Sequence, residues 1–465
     1  MKFFSILCLT GLLWLTGCAS TGVSTASVPP SITMAQTPAS VAVGAPDVAA
    51  LQSVIPGGAL LPITPELAAS LGVTSLAPPA DLWERMRRGF AMPDLDSQLV
   101  RDREQWYSAR PDYILRMTER SRKYLFHIVE ELERRNMPTE LALLPFVESA
   151  FNPQAVSRAK AAGMWQFMPA TGKHFELKQN AFRDDRRDVL ASTRAALDYL
   201  QKLYGMFGDW QLALAAYNWG EGSVGRAIAK NQRAGLSTGY SDLRMPMETR
   251  FYVPKLQAMK NIVANPQAFN SSLPHIENHP FFQTVDIHRD IDVALAAKLA
   301  EVSLEDFKAL NPSASRPVIL AAGTPQILLP WDSAAVFQSN LEAYAGGRLA
   351  SWTVWLAPVT MRPADAAKRV GMTESALRSV NSIPARVVIK AGSSLLVPRG
   401  THLETDVAVH LAENGQLSLS SETVAKRSKR KSDKAVRVSK AKGAAKSTSR
   451  HARHKSTATT RLAKE

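Results

Sequence analysis

From Asp81 to Asn265 the apolar residues recur at helical spacing with acids and bases on the opposite face, and strand-like runs are absent between about 85 and 265. The segments DLWERMRRGF, YILRMTERSRKYLFHIVEELERRN, ELALLPFVESAF, STRAALDYLQKLYGMF, WQLALAAYNW and VPKLQAMKNIV all have this texture. A stretch of this kind is expected to close as one mostly helical domain, placed at residues 81–270. A chain of 465 residues, 45% of them hydrophobic, has room for one large core or two to four smaller ones.

The Asn265-Pro266 pair breaks the helical pattern, and beyond it two segments repeat one another. The first carries Ala296-Ala297-Lys298, Leu310-Asn311, Ala322-Gly323 and a closing Leu328-Leu329-Pro330. The second carries Ala366-Ala367-Lys368, Val380-Asn381, Ala391-Gly392 and Leu396-Val397-Pro398, with the same fifteen-residue interval from Ala to Asn. Each is preceded by a strand candidate, FFQTVDI or SWTVWL, which predicts strand, two short helices and strand over 280–332 and again over 350–400. This βααβ order resembles the LysM module, a small domain that binds the N-acetylglucosamine backbone of peptidoglycan and chitin. The Gly-Asp-Thr-Leu that follows the first strand in that family is missing from both copies, and the second has Leu356-Ala357-Pro358-Val359-Thr360 instead. Because that loop lines the family's sugar groove, a glycan-binding role and a purely structural one both stay open.

The two ends of the chain predict where it works. Lys2, the apolar run FFSILCLTGLLWL and then Leu15-Thr16-Gly17-Cys18 have the order of a secretory signal, and the run is too short to span a bilayer comfortably. LTGC resembles the bacterial lipobox, which implies that residues 1–18 are a lipoprotein signal and that Cys18 is acylated and becomes the new N-terminus. Ala19 and Ser20, in place of an aspartate after the cysteine, imply the periplasmic face of the outer membrane. Loss of Cys8 and acylation of Cys18 would leave no free thiol, excluding disulfides and thiol catalysis. Residues 19–80, rich in Ala, Ser, Thr, Val and Pro, are expected to form a flexible tether. The net charge of +15 is concentrated at the other end: fifteen Lys or Arg lie between Lys426 and Lys464, opposed only by Asp433 and Glu465. With almost no large apolar residues, 424–465 is expected to be a disordered basic tail. In an exported protein such a tail would meet anionic envelope polymers and not nucleic acid.

The chemistry points to PFVESAFNPQAVSRAKAAGMWQFMPATGKHF, residues 145–175, and AAYNWGEGSVGRAI, residues 215–228. Together with DDRRD at 184–188, Gly208-Asp209-Trp210 and ETRFYVP at 248–254, they resemble the soluble lytic transglycosylase fold, a relative of goose-type lysozyme, and within it the membrane-bound lytic murein transglycosylase D type. The fold class expected is therefore mainly α: a lysozyme-like helical catalytic domain, two small βααβ LysM-like modules and disordered ends. The residues themselves agree about Glu148. A helix begun near Pro138 and stopped by Asn152-Pro153 would hold it in its last turn, among Phe146, Val147 and Phe151. A helix C-terminus and apolar neighbours both disfavour the anion, raising the pKa as a glycosidic general acid requires.

Ordinary glycosidases pair two carboxylates, yet the core motif has only one. Asp184, Asp185 and Asp188, interleaved with Arg183, Arg186 and Arg187, are predicted to form a structural salt-bridge turn. The resemblance implies a different mechanism, in which Glu148 protonates the oxygen between MurNAc and GlcNAc and then deprotonates the MurNAc C6 hydroxyl, which closes a 1,6-anhydro ring. It also places Ser157, Gln166, Tyr217 and Asn218 near the reacting sugar, where donors steady charge or orient the acetamido group. Helix capping for Ser157 and core packing for Tyr217 are the plainer alternatives. Met168 and Phe167 would line the groove or fill core, and Trp219 stands where the family has a small residue. The nine histidines lack metal-ligand spacing, no Gly-rich phosphate loop is visible, and neither a metal nor a cofactor is expected. A lysozyme-type hydrolase, with Glu176 or Glu221 positioning water, and a non-catalytic wall-binding scaffold are the competing functions. In all three, peptidoglycan glycan strands are the expected partner, reached from a membrane held through Cys18.

Overall fold

In a computed structural model of the protein, residues 79–400 and 405–422 are described. The predicted signal with Cys18, nearly all of the tether and the basic tail at 424–465 lie outside them.

The first part is helical throughout: α1 (Leu82–Arg88), α2 (Gln98–Ser108), α3 (Pro111–Ser121), α4 (Leu125–Arg134), α5 (Leu144–Ser149), α6 (Pro169–His174), α7 (Val189–Phe207), α8 (Trp210–Trp219), α9 (Glu221–Arg233), α10 (Met247–Arg250) and α11 (Tyr252–Ala264). Local chemistry sets the ends. The Asp188 carboxylate caps α7 by accepting from Ala191 N at 2.9 Å, and Gly208, at φ +66°, ends it. Asp209 then caps α8 through Leu212 N at 2.8 Å. Helices α7 and α8 pack on each other, α11 lies against α2 and α8, and Trp83, Phe146, Phe151 and Trp165 are fully buried between them.

The single helix expected between Pro138 and Asn152 is split. Thr139–Leu143 is a 3-10 turn and α5 has only six residues. Pro145 accounts for the break, because it has no N–H for the carbonyl of Leu141 and its ring would collide with that carbonyl, so the α-helix restarts with the proline in its first turn. The helix stops before Asn152: Ala150 at φ +52° and Phe151 at φ +56° are both left-handed. That conformation is costly for an aromatic residue. Full burial of the Phe151 ring, edge-on to Phe146 at 4.5 Å, offsets it.

Both repeats fold as strand, helix, helix, strand. In the first, β1 (Phe282–Asp286), β2 (Ile291–Asp292), α12 (Val293–Leu299), α13 (Leu304–Leu310), β3 (Val318–Ile319) and β4 (Gln326–Pro330) are followed by α14 (Ser333–Glu342). In the second, β5 (Trp352–Leu356), α15 (Pro363–Arg369), α16 (Glu374–Asn381), β6 (Val387–Ile389) and β7 (Ser394–Pro398) repeat the plan. Strands β1 and β4 pair antiparallel, Phe282 opposite Pro330, and β5 pairs with β7, Trp352 opposite Pro398. The repeated residues have repeated jobs. Asn311 donates to Leu328 O at 2.8 Å and accepts from Leu328 N at 2.8 Å, and Asn381 does the same to Leu396 at 2.9 and 2.7 Å. The Ala-Ala pairs are buried, where larger side chains would hold the helices off the sheet.

Neither repeat is a free bead. The first sits on the helical domain: Lys123 pairs with Asp306, Tyr124 donates to Ala309 O at 2.9 Å, and Ser313 donates to the Asp188 carboxylate at 3.1 Å. Leu310 and Leu328 join the core of the helical domain. The folded chain also continues past residue 400. Residues 405–421, with α17 (Val409–Asn414) and β8 (Leu419–Ser421), form a strap that touches all three bodies. Val407 N reaches buried Asp290 of the first repeat at 2.8 Å, and Asn180 of the helical domain donates to Ala412 O and Glu413 O. Strand β8 pairs with β6 of the second repeat. Phe182, Val318, Leu320, Leu396, Val407 and Ala412 meet in a small core shared by all of them.

Candidate active site

Glu148 lies one residue before the end of α5, with the left-handed pair Ala150-Phe151 turning the chain away just beyond it. Its neighbour Ser149 donates to Met164 O at 3.0 Å and so ties the helix end to the loop over residues 152–168. The Glu148 side chain keeps a partly reachable surface, yet its carboxyl is crowded enough that burial pushes its pKa up to about 7. The Tyr252 hydroxyl, which donates to Oε1, and the Lys255 ammonium pull the other way, and Glu248 adds a smaller upward push.

Tyr252 is the first residue of α11 and is buried. It is a site residue that sequence reasoning missed, although it lies in the ETRFYVP segment that the sequence resemblance included. Tyr217, on the last turns of α8, sits near Glu148 and has its phenol pushed well up by burial and by that carboxylate, but its hydroxyl donates to Trp165 O at 2.9 Å. Asn218 accepts from the buried Thr249 hydroxyl at 2.8 Å, which leaves its amide N–H groups for other partners. Trp219 ends α8 half-buried against the catalytic core.

The remaining residues lie on the 152–168 loop. Ser157 Oγ accepts from Ala161 N at 3.0 Å and closes a small turn, leaving its own proton to give. Gln166, at φ +50°, spends its amide nitrogen on Gly163 O at 2.7 Å, so its carbonyl oxygen is the group left over. Met168 is exposed and Phe167 is buried. The loop is clamped from behind by the 184–188 turn: Arg186, held by both oxygens of Asp184 at 2.9 and 2.7 Å, donates to Lys160 O at 2.7 Å and Phe167 O at 3.1 Å. Gly163 makes this possible. It has φ +84°, and a Cβ there would lie 1.9 Å from Arg186 O.

The other acids are placed for other work. Asp188 caps α7, and Asp185 is 3.4 Å from Arg183, with burial pushing its carboxyl up to about 6. Glu221 accepts from Tyr199 at 2.7 Å and pairs with Lys202 at 3.2 Å, and the Tyr199 hydroxyl bond above all holds its pKa below the usual value. Glu176 is exposed. Among the described residues, no carboxylate hydrogen-bonds to Glu148 and no group of three or more His, Cys, Asp or Glu gathers as a metal would need.

The chain matches the transglycosylase SLT domain over residues 127–238 and the LysM-like domain of lytic transglycosylase MltD over residues 281–346. Over 342 residues it is 35% identical to the membrane-bound lytic murein transglycosylase D of Escherichia coli strain K12, an alignment covering 70% of this chain and 75% of that one. It is also 38% identical to a putative tributyltin chloride resistance protein of an Alteromonas species, over 41% of this chain and 89% of the other. An alignment to the crystal structure of the 70 kDa soluble lytic transglycosylase from Escherichia coli covers 28% of this chain and 22% of that one, at 25% identity and a TM-score of 0.23. With 35% identity held over three-quarters of the full-length Escherichia coli relative, and both matched domains lying along one chain, this protein belongs to the membrane-bound lytic murein transglycosylase D family.

Proposed function

We propose that Glu148 alone serves as acid and base while this lytic transglycosylase cuts the MurNAc-β-1,4-GlcNAc bond of peptidoglycan, leaving 1,6-anhydro-MurNAc ends. The observation that carries this reading is a crowded carboxyl with a pKa near 7, bonded to a tyrosine and to no second acid among the described residues. Protonated Glu148 gives its proton to the GlcNAc O4 as the C1–O4 bond breaks. The MurNAc C6 oxygen then bonds to C1 and its proton returns to Glu148. Atoms balance without water, and the acid is ready again.

Tyr252 would position the carboxyl and steady its anion. Tyr217 would wall the site from Trp165, and Asn218, Ser157 and Gln166 would offer the amide hydrogens, hydroxyl and carbonyl oxygen left free by their internal bonds. Met168 would give the sugar an apolar surface. A hydrolase fits less well, since Glu221 is engaged by Tyr199 and Lys202 and Glu176 is exposed.

Mass spectrometry of digested sacculi is the test. Anhydro-MurNAc products are expected from the wild type, with a rate loss of at least about 100-fold for Glu148→Gln. Hydrated, reducing muropeptides alone would overturn ring closure, and undiminished lysis by the variant would remove Glu148 from the chemistry. The lipobox supports an anchor at Cys18 on the outer membrane, with the basic tail on anionic envelope polymers. Among the described residues no helix is long and apolar enough to cross a membrane.

A further inference from the structure

We propose that the cleft where the catalytic domain meets both LysM-like repeats is a second peptidoglycan site, one that takes the carboxylate-bearing peptide stems and not the sugars. The proposal rests on the reading that peptidoglycan is the substrate. The cleft has a volume of about 1460 Å³, beyond the roughly 300–1,000 Å³ of small-molecule pockets, and so fits a length of chain better than a metabolite. Glu148 does not line it. Its nearest approach in the chain is Phe151 to Gln154, the segment that turns away from the catalytic helix. Helix α3, this segment, α13 and α16 form its walls, so it exists only while both repeats are docked.

Its charge selects the ligand. Of the cations that line it, Lys123 is spent on Asp306, and Arg316 is spent on the carbonyls of Ala181 and Val380 and the Ser382 hydroxyl. Arg120, Arg187 and Lys308 pair with no carboxylate among the described residues. Arg120 reaches only Ala150 O at 3.4 Å, and Arg187 reaches Gln154 Oε1 at 3.2 Å. Of the two acids that line it, Glu119 is 3.7 Å from Arg122, so only Glu305 opposes the three cations. A glycan strand cannot answer this charge, because its sugars are neutral and the lactyl carboxyl of each substituted MurNAc is consumed in the amide to the peptide. The peptide stems carry the anions. Leu304 and Trp352 supply apolar surface for their methyl and methylene groups.

The test uses the full-length Glu148→Gln protein, so that nothing is cut, and a fluorescently labelled tetrapeptide, L-Ala-D-Glu-meso-diaminopimelate-D-Ala, followed by anisotropy. Arg120 and Lys308 are both exposed, and adding Arg120→Glu with Lys308→Glu is expected to weaken binding at least tenfold. A tetrapeptide with amidated carboxylates is expected to bind the parent protein at least tenfold more weakly, a comparison that no folding defect can mimic. Equal affinity in either comparison, or no binding by the parent, overturns the proposal. Failure of the underlying reading looks different: wild-type protein would leave sacculi intact, whatever the peptide titration shows.

Discussion

Glu148, the proposed acid, owes its raised pKa chiefly to burial at the end of α5. With a pKa of about 7, it is expected to produce a fall in kcat/KM above about pH 7, as the acid loses its proton. Tyr252 stabilises the anion, so Tyr252→Phe should move that fall to higher pH while lowering kcat more than KM. A pH profile that keeps its shape would leave Tyr252 a packing residue. The same carboxyl taxes the fold. Between 4.5 and about 7 the native chain holds a proton that the unfolded chain has lost, so this group's contribution to stability is full below pH 4.5 and is lost as the pH rises through 7. Glu148→Gln should therefore stabilise the protein at pH 8 by about 1–3 kcal/mol, discounted because the side chain is not wholly buried, and hardly at all at pH 4. Thermal melts at the two pH values check it, and an equal shift at both would contradict the assignment. Glu148 was legible because its motif is contiguous. Tyr252 was not, because 104 residues separate it from its partner and only the lie of α11 brings them together.

Helices and strands were legible wherever period and spacing specified them. The fifteen-residue interval in each repeat marks an asparagine that closes the second helix onto the last strand, serving one N–H and one carbonyl at once. Asn381→Ala should cost the second repeat about 2–3 kcal/mol, because two buried backbone groups of Leu396 lose their partner. Hydrogen exchange at the Leu396 amide is the direct measurement, and unchanged protection would mean that the pairing is dispensable. The helix around Glu148 was harder to foresee. Its apolar spacing runs unbroken from Leu141 to Phe146, and only the steric demand of Pro145 on the turn before it divides 3-10 from α.

At the scale of the molecule the sequence is least transparent, since the docking of the repeats uses backbone groups and isolated polar pairs that leave no periodic trace. The DDRRD turn is a salt-bridge turn, as its alternating charges predict, but Asp188 also receives Ser313 of the first repeat, and nothing local to the motif encodes that. The strap at 405–421 has no pattern beyond one short helix. Asp290 and Arg399, 3.1 Å apart and almost wholly buried, link the two repeats beneath it. Asp290→Ala leaves the buried Arg399 with only the longer contact to Asp406 at 3.8 Å and takes the acceptor from the Val407 and Ala321 amides, and should cost about 3–5 kcal/mol. Faster protease cleavage near residues 400–408, with the catalytic domain left intact, is the expected sign. An unaltered digest would show that the docking stands without the pair.

The strap also decides how the protein behaves under load. Whatever grips the chain beyond Glu422 pulls first on the three residues of β8 and only afterwards on α17. Losing α17 would uncover Phe182 and take the strap off the second repeat, while the first stays docked through Tyr124, Ser313 and its own apolar contacts. A tug on the tail would thus loosen the α16 wall of the cleft before it unfolded the helices that hold Glu148.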